Sequence, residues 1–278
     1  MTANPPLASA STSDNIAAAA ERLADAAASG VPCAPVRDLI GRDDLTAAYA
    51  VQADLTARRL ARGARVTGRK IGLTSESVQR QLGVDRPDFG VLFDDMAHPD
   101  GGTIPAGRVL QPRVEAEIAF VLRADLATGP LDTAQVRDAI AYGVAALEVC
   151  GSRIAGWDIS LGDTVADNAS SGAYVLGADR RTLDEAEPVD AGMTMCVNGT
   201  EVSTGTGAAC LGDPVEALRW LARTARELGA PLRAGQVVLS GALGPMHAVS
   251  PGDTVTARLT GFGGVTVRFG EGEEGEPS

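Results

Sequence analysis

Apolar residues recur with two different periods along this chain, and the period changes near Gly63. Before that point the spacing is helical. Ile16, Leu23 and Ala27 fall on one stripe, Asp14 is placed to cap it, and Gly30 to end it. A second helix begins near Asp44, with Tyr49, Ala53, Ala57 and Leu60 on one face and Arg58, Arg59 and Arg62 outside it. After Gly63 short strand-like runs take over: 66–72, 114–122, 144–150, 173–176, 194–197, 237–240, 254–259 and 264–269. Asn198-Gly199 marks a two-residue hairpin between Met193–Val197 and Thr200–Val202, and Gly261–Gly264 turns another. Helical periods interrupt the strands at about 132–142 and 213–228. In the second, Val215, Leu218, Trp220, Leu221 and Leu228 form the stripe, with Pro214 in the first turn and Gly229 at the end.

This is no regular alternation of strand and helix, and no fixed-period repeat is present. The pattern predicts an α+β fold: a mixed β-sandwich or β-roll core with an N-terminal helical part. It divides the chain into a disordered tail (1–12), the helical part (13–63), a β-rich catalytic core (64–269) and an acidic tail (270–278).

Composition narrows the function classes. Hydrophobic residues make up 45% of the chain but aromatic ones only 4%, so Ala, Val, Leu and Ile must fill the core. The net charge of −12 argues against nucleic-acid binding, and an anionic ligand would need a local positive centre. Cys33, Cys150, Cys196 and Cys210 lack the C-x-x-C spacing of zinc knuckles or redox pairs. Neither a signal peptide nor a membrane-spanning run is evident, and the expectation is a cytoplasmic protein with reduced thiols.

Three glutamates carry the candidate chemistry. In Arg113–Leu122, a period of two puts Val114, Ala116, Ile118, Phe120 and Leu122 on one strand face and Glu115 with Glu117 on the other. Such a pair belongs either to a solvent-exposed face or to a site, and Ala119 and Val121 further along turn that face inward. Glu148 stands alone in the apolar run Gly143–Cys150. Burying it unpaired would be costly, so it either meets an arginine such as Arg153 or serves as a third metal ligand. Oxygen donors alone suit Mg²⁺ or Mn²⁺ rather than zinc, and neither His98 nor His247 is needed. Open positions on such an ion would accept the carboxylate and carbonyl oxygens of a 2-oxo acid.

Lys70 lies between Gly68 and Gly72, which permit close approach of a ligand or another backbone. Pointing inward beside a metal, it would have reason to titrate low and move protons; the alternative is that Arg69 faces inward instead. Asp88, in Pro-Asp-Phe-Gly, is turn chemistry first. The run 163–172 is either a capped loop or a loop that lines a pocket through Asn168 and Ser170.

Gly68–Thr74, Gln81–Gly90, Gln111–Glu117, Leu147–Arg153, Asp163–Gly172 and Gly241–Met246 together resemble the fumarylacetoacetate hydrolase superfamily. Within it they resemble the 2-oxopent-4-enoate (2-hydroxypenta-2,4-dienoate) hydratases of aromatic meta-cleavage catabolism, over residues 14–269. The resemblance implies the mixed sandwich or roll and a Mg²⁺ or Mn²⁺ ion on Glu115, Glu117 and Glu148. It also implies Lys70 and Asp88 as the active-site pair and a homo-oligomer. The implied reaction adds water to 2-hydroxypenta-2,4-dienoate and yields 4-hydroxy-2-oxopentanoate. A pathway decarboxylase or aldolase is a possible partner. The rival readings are 2-oxo-3-hexenedioate (4-oxalocrotonate) decarboxylase, a C–C bond hydrolase, and a non-enzymatic subunit that stabilises a decarboxylase. The Gly241–Met246 segment resembles the hydratase version.

Overall fold

The computed structural model describes residues 12–75, 79, 84 and 86–272. Most of the expected tails, and residues 81–83 and 85 of the Gln81–Gly90 motif, lie outside that set.

The N-terminal helices are α1 (Ser13–Ser29), α2 (Arg37–Ile40) and α3 (Leu45–Ala61). Thr12 rather than Asp14 caps α1, accepting from the Asn15 N–H, and Gly30 closes it in the left-handed region. Asp44 caps α3. Leu23, Ile40, Ala48 and Val51 pack with Val165 and Ala166 into a core of their own.

The strands are β1 (Val66–Gly72), β2 (Asp88–Phe93), β3 (Ala97–His98), β4 (Thr103–Ile104), β5 (Arg113–Leu122), β6 (Ile140–Cys150), β7 (Ser171–Leu176), β8 (Gly192–Val197), β9 (Thr200–Thr206), β10 (Val237–Leu239), β11 (His247–Ala248), β12 (Thr254–Leu259) and β13 (Gly263–Phe269). The larger sheet runs β2-β1-β10-β5-β6-β7-β3, with β11 on the end of β5; the smaller runs β4-β13-β12-β8-β9. Both mix parallel and antiparallel pairs. The main core includes residues of both sheets, among them Ile118, Phe120 and Leu147 with Met195, Val255 and Val267, all fully buried. Each large side chain so buried contributes about 2–3 kcal/mol. Helix α6 (Pro214–Glu227) adds Val215, Leu218 and Leu221 to this core.

Both expected hairpins form, one at Asn198-Gly199 and the other with its turn at 260–262, since Gly263 and Gly264 already belong to β13. Three local expectations do not survive. The helix expected over 132–142 stops early: α4 spans Thr133–Ala139, and β6 begins at Ile140, because Ile140, Tyr142 and Gly143 pair with Leu122, Val121 and Phe120. Pro87-Asp-Phe-Gly90 is no turn, since Asp88 opens β2, buried along its whole length and paired to β1. Nor is 163–172 a plain loop. It holds α5 (Leu161–Ala166), then three successive non-glycine residues in the left-handed region, Asn168, Ala169 and Ser170, with φ of 55°, 50° and 56°. Such a conformation costs on the order of 1 kcal/mol or more per residue and persists only when its surroundings impose it.

Candidate metal centre

The period-two alternation of β5 puts Arg113, Glu115, Glu117 and Ala119 on one face, and that of β6 puts Val144, Ala146, Glu148 and Cys150 on one face. Antiparallel register matches them: Arg113 with Cys150, Glu115 with Glu148, Glu117 with Ala146. Two glutamates therefore stand directly opposite each other, and the third has only a small alanine across from it. Their exposures are 5%, 0% and 1% for Glu115, Glu117 and Glu148, which rules out the solvent-face reading.

Lys70 reaches the same place from β1, which is separated from β5 by β10; the register aligns Lys70, Leu239 and Ala119. Its Nζ lies 3.2 Å from Glu148 Oε1, so the inward residue is Lys70 and not Arg69. Both flanking glycines are close approaches. A Cβ on Gly68 would sit 1.9 Å from the Val237 carbonyl oxygen of β10, and one on Gly72 would sit 2.2 Å from Asp88 Oδ1 and 3.4 Å from Lys70 Nζ. Asp88 is thus delivered beside the lysine by the Gly72–Asp88 pairing of β1 with β2.

Arg153, the alternative partner of Glu148, is engaged elsewhere: it ion-pairs with Asp167, and its backbone N–H donates to Asp167 Oδ2 at 2.9 Å. Four buried carboxyl groups consequently share one lysine. Asp88 Oδ1, Glu117 Oε1 and both oxygens of Glu148 have no hydrogen-bond partner of good geometry among the described residues. Glu117 Oε2 accepts from the Gly241 N–H at 2.7 Å. Contrast Asp163, equally buried, whose oxygens accept from the backbone N–H groups of Val36, Arg37 and Ser160 and from the Arg37 guanidinium. Unpartnered carboxylate oxygens at this depth are what a divalent cation would complete, and the donor set fits one.

Electrostatics agree. Burial pushes the Glu148 carboxyl up to about 7, with Lys70 pulling it down and Glu115 pushing it further. Burial, then repulsion from Glu148 and Glu115, holds Glu117 well above the carboxylate range. Burial raises Asp88 too, against the pull of Lys70. For Lys70, burial favours the neutral form, but Glu148 and the other acidic groups around it outweigh burial and hold the ammonium well above its ordinary value. The expectation of a low-titrating lysine concerns a lysine beside a metal ion, whose charge would oppose the pull of these acids.

A stability profile follows from these directions. A carboxyl with a raised folded value contributes stability that is present below its unfolded value and is lost as pH rises through the folded one. For Glu148 that window runs from 4.5 to about 7. At about 1.4 kcal/mol per pH unit the metal-free protein is expected to lose on the order of 3 kcal/mol across it. Calorimetric melting in chelator should therefore give a lower Tm at pH 8 than at pH 5.5; a flat profile contradicts the crowding of acids.

Asn168 and Ser170 are placed differently. Asn168 holds the backbone of Val91 in β2 from both sides: Oδ1 accepts from the Val91 N–H at 2.8 Å and Nδ2 donates to the Val91 carbonyl at 2.9 Å. Ser170 Oγ lies 3.1 Å from Thr164 Oγ1. Through Asn168 the left-handed turn braces β2. Asn168 also borders a cavity of about 620 Å³ between α1, α3 and the β2 end, which does not contain the acid cluster.

Comparison with known proteins is decisive at this point. A family model described as fumarylacetoacetate (FAA) hydrolase C-terminal matches residues 59–269. The chain belongs to the fumarylacetoacetate hydrolase family. It is 54% identical over 251 residues to the TodF product hydratase of Pseudomonas putida (strain F1), covering 90% of this chain and 94% of that one. It is 53% identical over 251 residues to a 2-keto-4-pentenoate hydratase of Paraburkholderia xenovorans (strain LB400), covering 90% and 93%. Among solved structures, 4-oxalocrotonate decarboxylase from P. putida G7, complexed with magnesium and adipate, superposes with a TM-score of 0.88 at 33% identity, covering 96% of this chain and all of that one.

In this member of the fumarylacetoacetate hydrolase family several residues at the centre escaped the sequence reading. Cys150 shares the Glu148 face, and its Sγ lies 3.6 Å from Glu115 Oε1. Its period-two spacing from Glu148 was the available signal. Tyr49, read as part of an apolar stripe, stacks on Phe89 with centroids 4.9 Å apart, and burial followed by the charge of Asp88 raises its phenol. Gln52 donates to the carbonyls of Phe89 and Val165, tying β2 to α5. Gly241 supplies the N–H on Glu117. No local pattern marks these last contacts.

Proposed function

We propose that this chain is a divalent-cation-dependent hydro-lyase that adds water to 2-hydroxypenta-2,4-dienoate to give 4-hydroxy-2-oxopentanoate. The observation that carries it is the burial of Glu115, Glu117 and Glu148 around Lys70 and Asp88, with Glu117 Oε1 and Glu148 Oε2 left without a hydrogen-bond partner among the described residues. The names and 53–54% identities of the two hydratases support the same reading above decarboxylation, whose representative stands at 33%.

Glu115, Glu117 and Glu148 would hold Mg²⁺ or Mn²⁺, in keeping with the magnesium in the related decarboxylase. When bound, the ion polarises a coordinated carbonyl oxygen as a Lewis acid and offsets the carboxylate charge. The chain's own groups handle protons. Ketonisation takes a proton from the 2-hydroxyl of the dienol and delivers one to C5; water then adds at C4, with a proton to C3. Lys70, buried 3.2 Å from Glu148, exchanges the proton of the C2 oxygen. Asp88, with a raised carboxyl and an open Oδ1 beside the lysine, relays it. Asn168 and Ser170 serve as positioning residues: they fix the turn that braces β2, the strand that carries Asp88.

Incubation of the purified protein with Mg²⁺ and either 2-hydroxypenta-2,4-dienoate or 2-oxo-3-hexenedioate tests the reading. In H₂¹⁸O, one ¹⁸O in the C4 hydroxyl of the first product is expected, with no CO₂ from the second substrate. Release of CO₂ without hydration would make the protein a decarboxylase.

A further inference from the structure

The β6 alternation brings a thiol to a centre otherwise made of hard oxygen donors. Cys150 is 3% exposed. Its Sγ, one oxygen of Glu115 and one oxygen of Glu148 all lie within 4.8 Å of one another. The Sγ–Oε1 separation to Glu115 is 3.6 Å. A tetrahedral zinc ion with bonds of about 2.3 Å to sulfur and about 2.0 Å to oxygen has a sulfur–oxygen edge of roughly 3.5 Å. The pair therefore already stands at the separation a thiophilic ion requires. Glu148, equally buried, is ion-paired with Lys70 through Oε1 at 3.2 Å, while its Oε2 has no partner among the described residues and supplies a second oxygen ligand. Glu117 falls outside this three-residue group, and one of its oxygens is held by the Gly241 N–H. The Cys150 thiol donates to a glutamate oxygen of this group, whereas the other buried thiol, Cys210, donates to the Ser240 carbonyl at 2.9 Å and is not part of it.

Mg²⁺ and Mn²⁺ have little use for sulfur, whereas Zn²⁺ and Cd²⁺ prefer it. We propose that the centre has a second coordination mode, in which a thiophilic d¹⁰ ion, Zn²⁺ or Cd²⁺, is bound by Glu115, Glu148 and the Cys150 thiolate. Binding forms a metal–sulfur bond and breaks the S–H bond, and the proton passes to solvent; no oxidant or reductant is involved. The ion in this mode competes with Mg²⁺ for Glu115 and Glu148. The inference rests on the reading of the acid cluster as a divalent-cation site.

The test is titration of the metal-free protein with Cd²⁺. A thiolate-to-cadmium charge-transfer absorption in the ultraviolet is expected, saturating at one ion per chain, and Cd²⁺ is expected to displace Mn²⁺ followed by electron paramagnetic resonance. Cys150→Ser should lose that absorption and bind Cd²⁺ on the order of 100-fold more weakly, while still binding Mn²⁺. Should the variant fail to fold, ¹¹³Cd nuclear magnetic resonance of the unmodified protein decides instead: a shift in the range of one sulfur with oxygens supports the proposal, and an all-oxygen shift overturns it. Displacement of Mn²⁺ by Cd²⁺ without the absorption also overturns it. If the unmodified protein binds neither ion, the acid cluster is no cation site, and both readings fall together.

Discussion

Glu148→Gln is expected to lower turnover by on the order of 10³-fold and to weaken Mn²⁺ binding by at least about 100-fold, because removing even an outer-shell partner of a metal ligand costs 10- to 100-fold. The substitution keeps shape and volume, so the packing of β6 is preserved, and what goes is one negative charge from a group of four buried acids. That charge has two opposite effects. It contributes to holding a cation; without a cation its pairing with Lys70 is outweighed by burial and the neighbouring acids, since its carboxyl stands at about 7, and it pushes Glu117 up more than Glu115 does. The metal-free variant should therefore melt at a higher temperature than the parent at pH 8, while the Mn²⁺-loaded parent melts above the variant. Calorimetry with and without chelator, alongside Mn²⁺ titration, reads both signs. An unchanged Mn²⁺ affinity would remove Glu148 from the centre.

Lys70→Met should separate chemistry from metal binding. Methionine matches the length of the lysine stem and suits a 3%-exposed site, but it cannot hold or move a proton. Turnover is expected to fall by about 10²- to 10⁴-fold, the range associated with a positioned acid–base group. Mn²⁺ affinity should hold or rise, since the positive charge 3.2 Å from Glu148 is gone. The metal-free variant also leaves Glu148 with no countercharge. Breaking a buried pair in this way costs about 3–5 kcal/mol when the remaining charge persists, and protonation of Glu148 limits the loss. The destabilisation should therefore be larger at pH 8 than at pH 5.5 in chelator. Full turnover by the variant would end the assignment of Lys70 as the proton-exchanging group.

Much of the centre was legible in the sequence because period-two alternation is a local property. Glu115 and Glu117 share a face whatever the sheet does, and an acid in the run Gly143–Cys150 is conspicuous against its neighbours. What could not be read is register. That Glu148 falls opposite Glu115, rather than one pair along, depends on the connection through α4 and on an irregularity in the β5–β6 ladder at Val121/Leu122. Asp88 was misassigned locally for a related reason. Proline, aspartate and glycine favour a turn in isolation, but pairing with β1 along six residues outweighs that preference. The left-handed turn at Asn168–Ser170 had no signature at all, since alanine and serine do not favour that conformation and only the tether to Val91 and its neighbours imposes it.

That tether has a mechanical consequence. Asp163 bolts α5 to the segment before α2, Gln52 bolts α3 to both Phe89 and Val165, and Asn168 clasps Val91 two residues further along the same strand. The helical arm and the strand bearing Asp88 are thus riveted at successive points. Peeling the arm away would slacken the aspartate's footing, so amide exchange at Phe89 and Val91 should quicken in step with exchange in α3, as one cooperative unit rather than a lid on a rigid barrel.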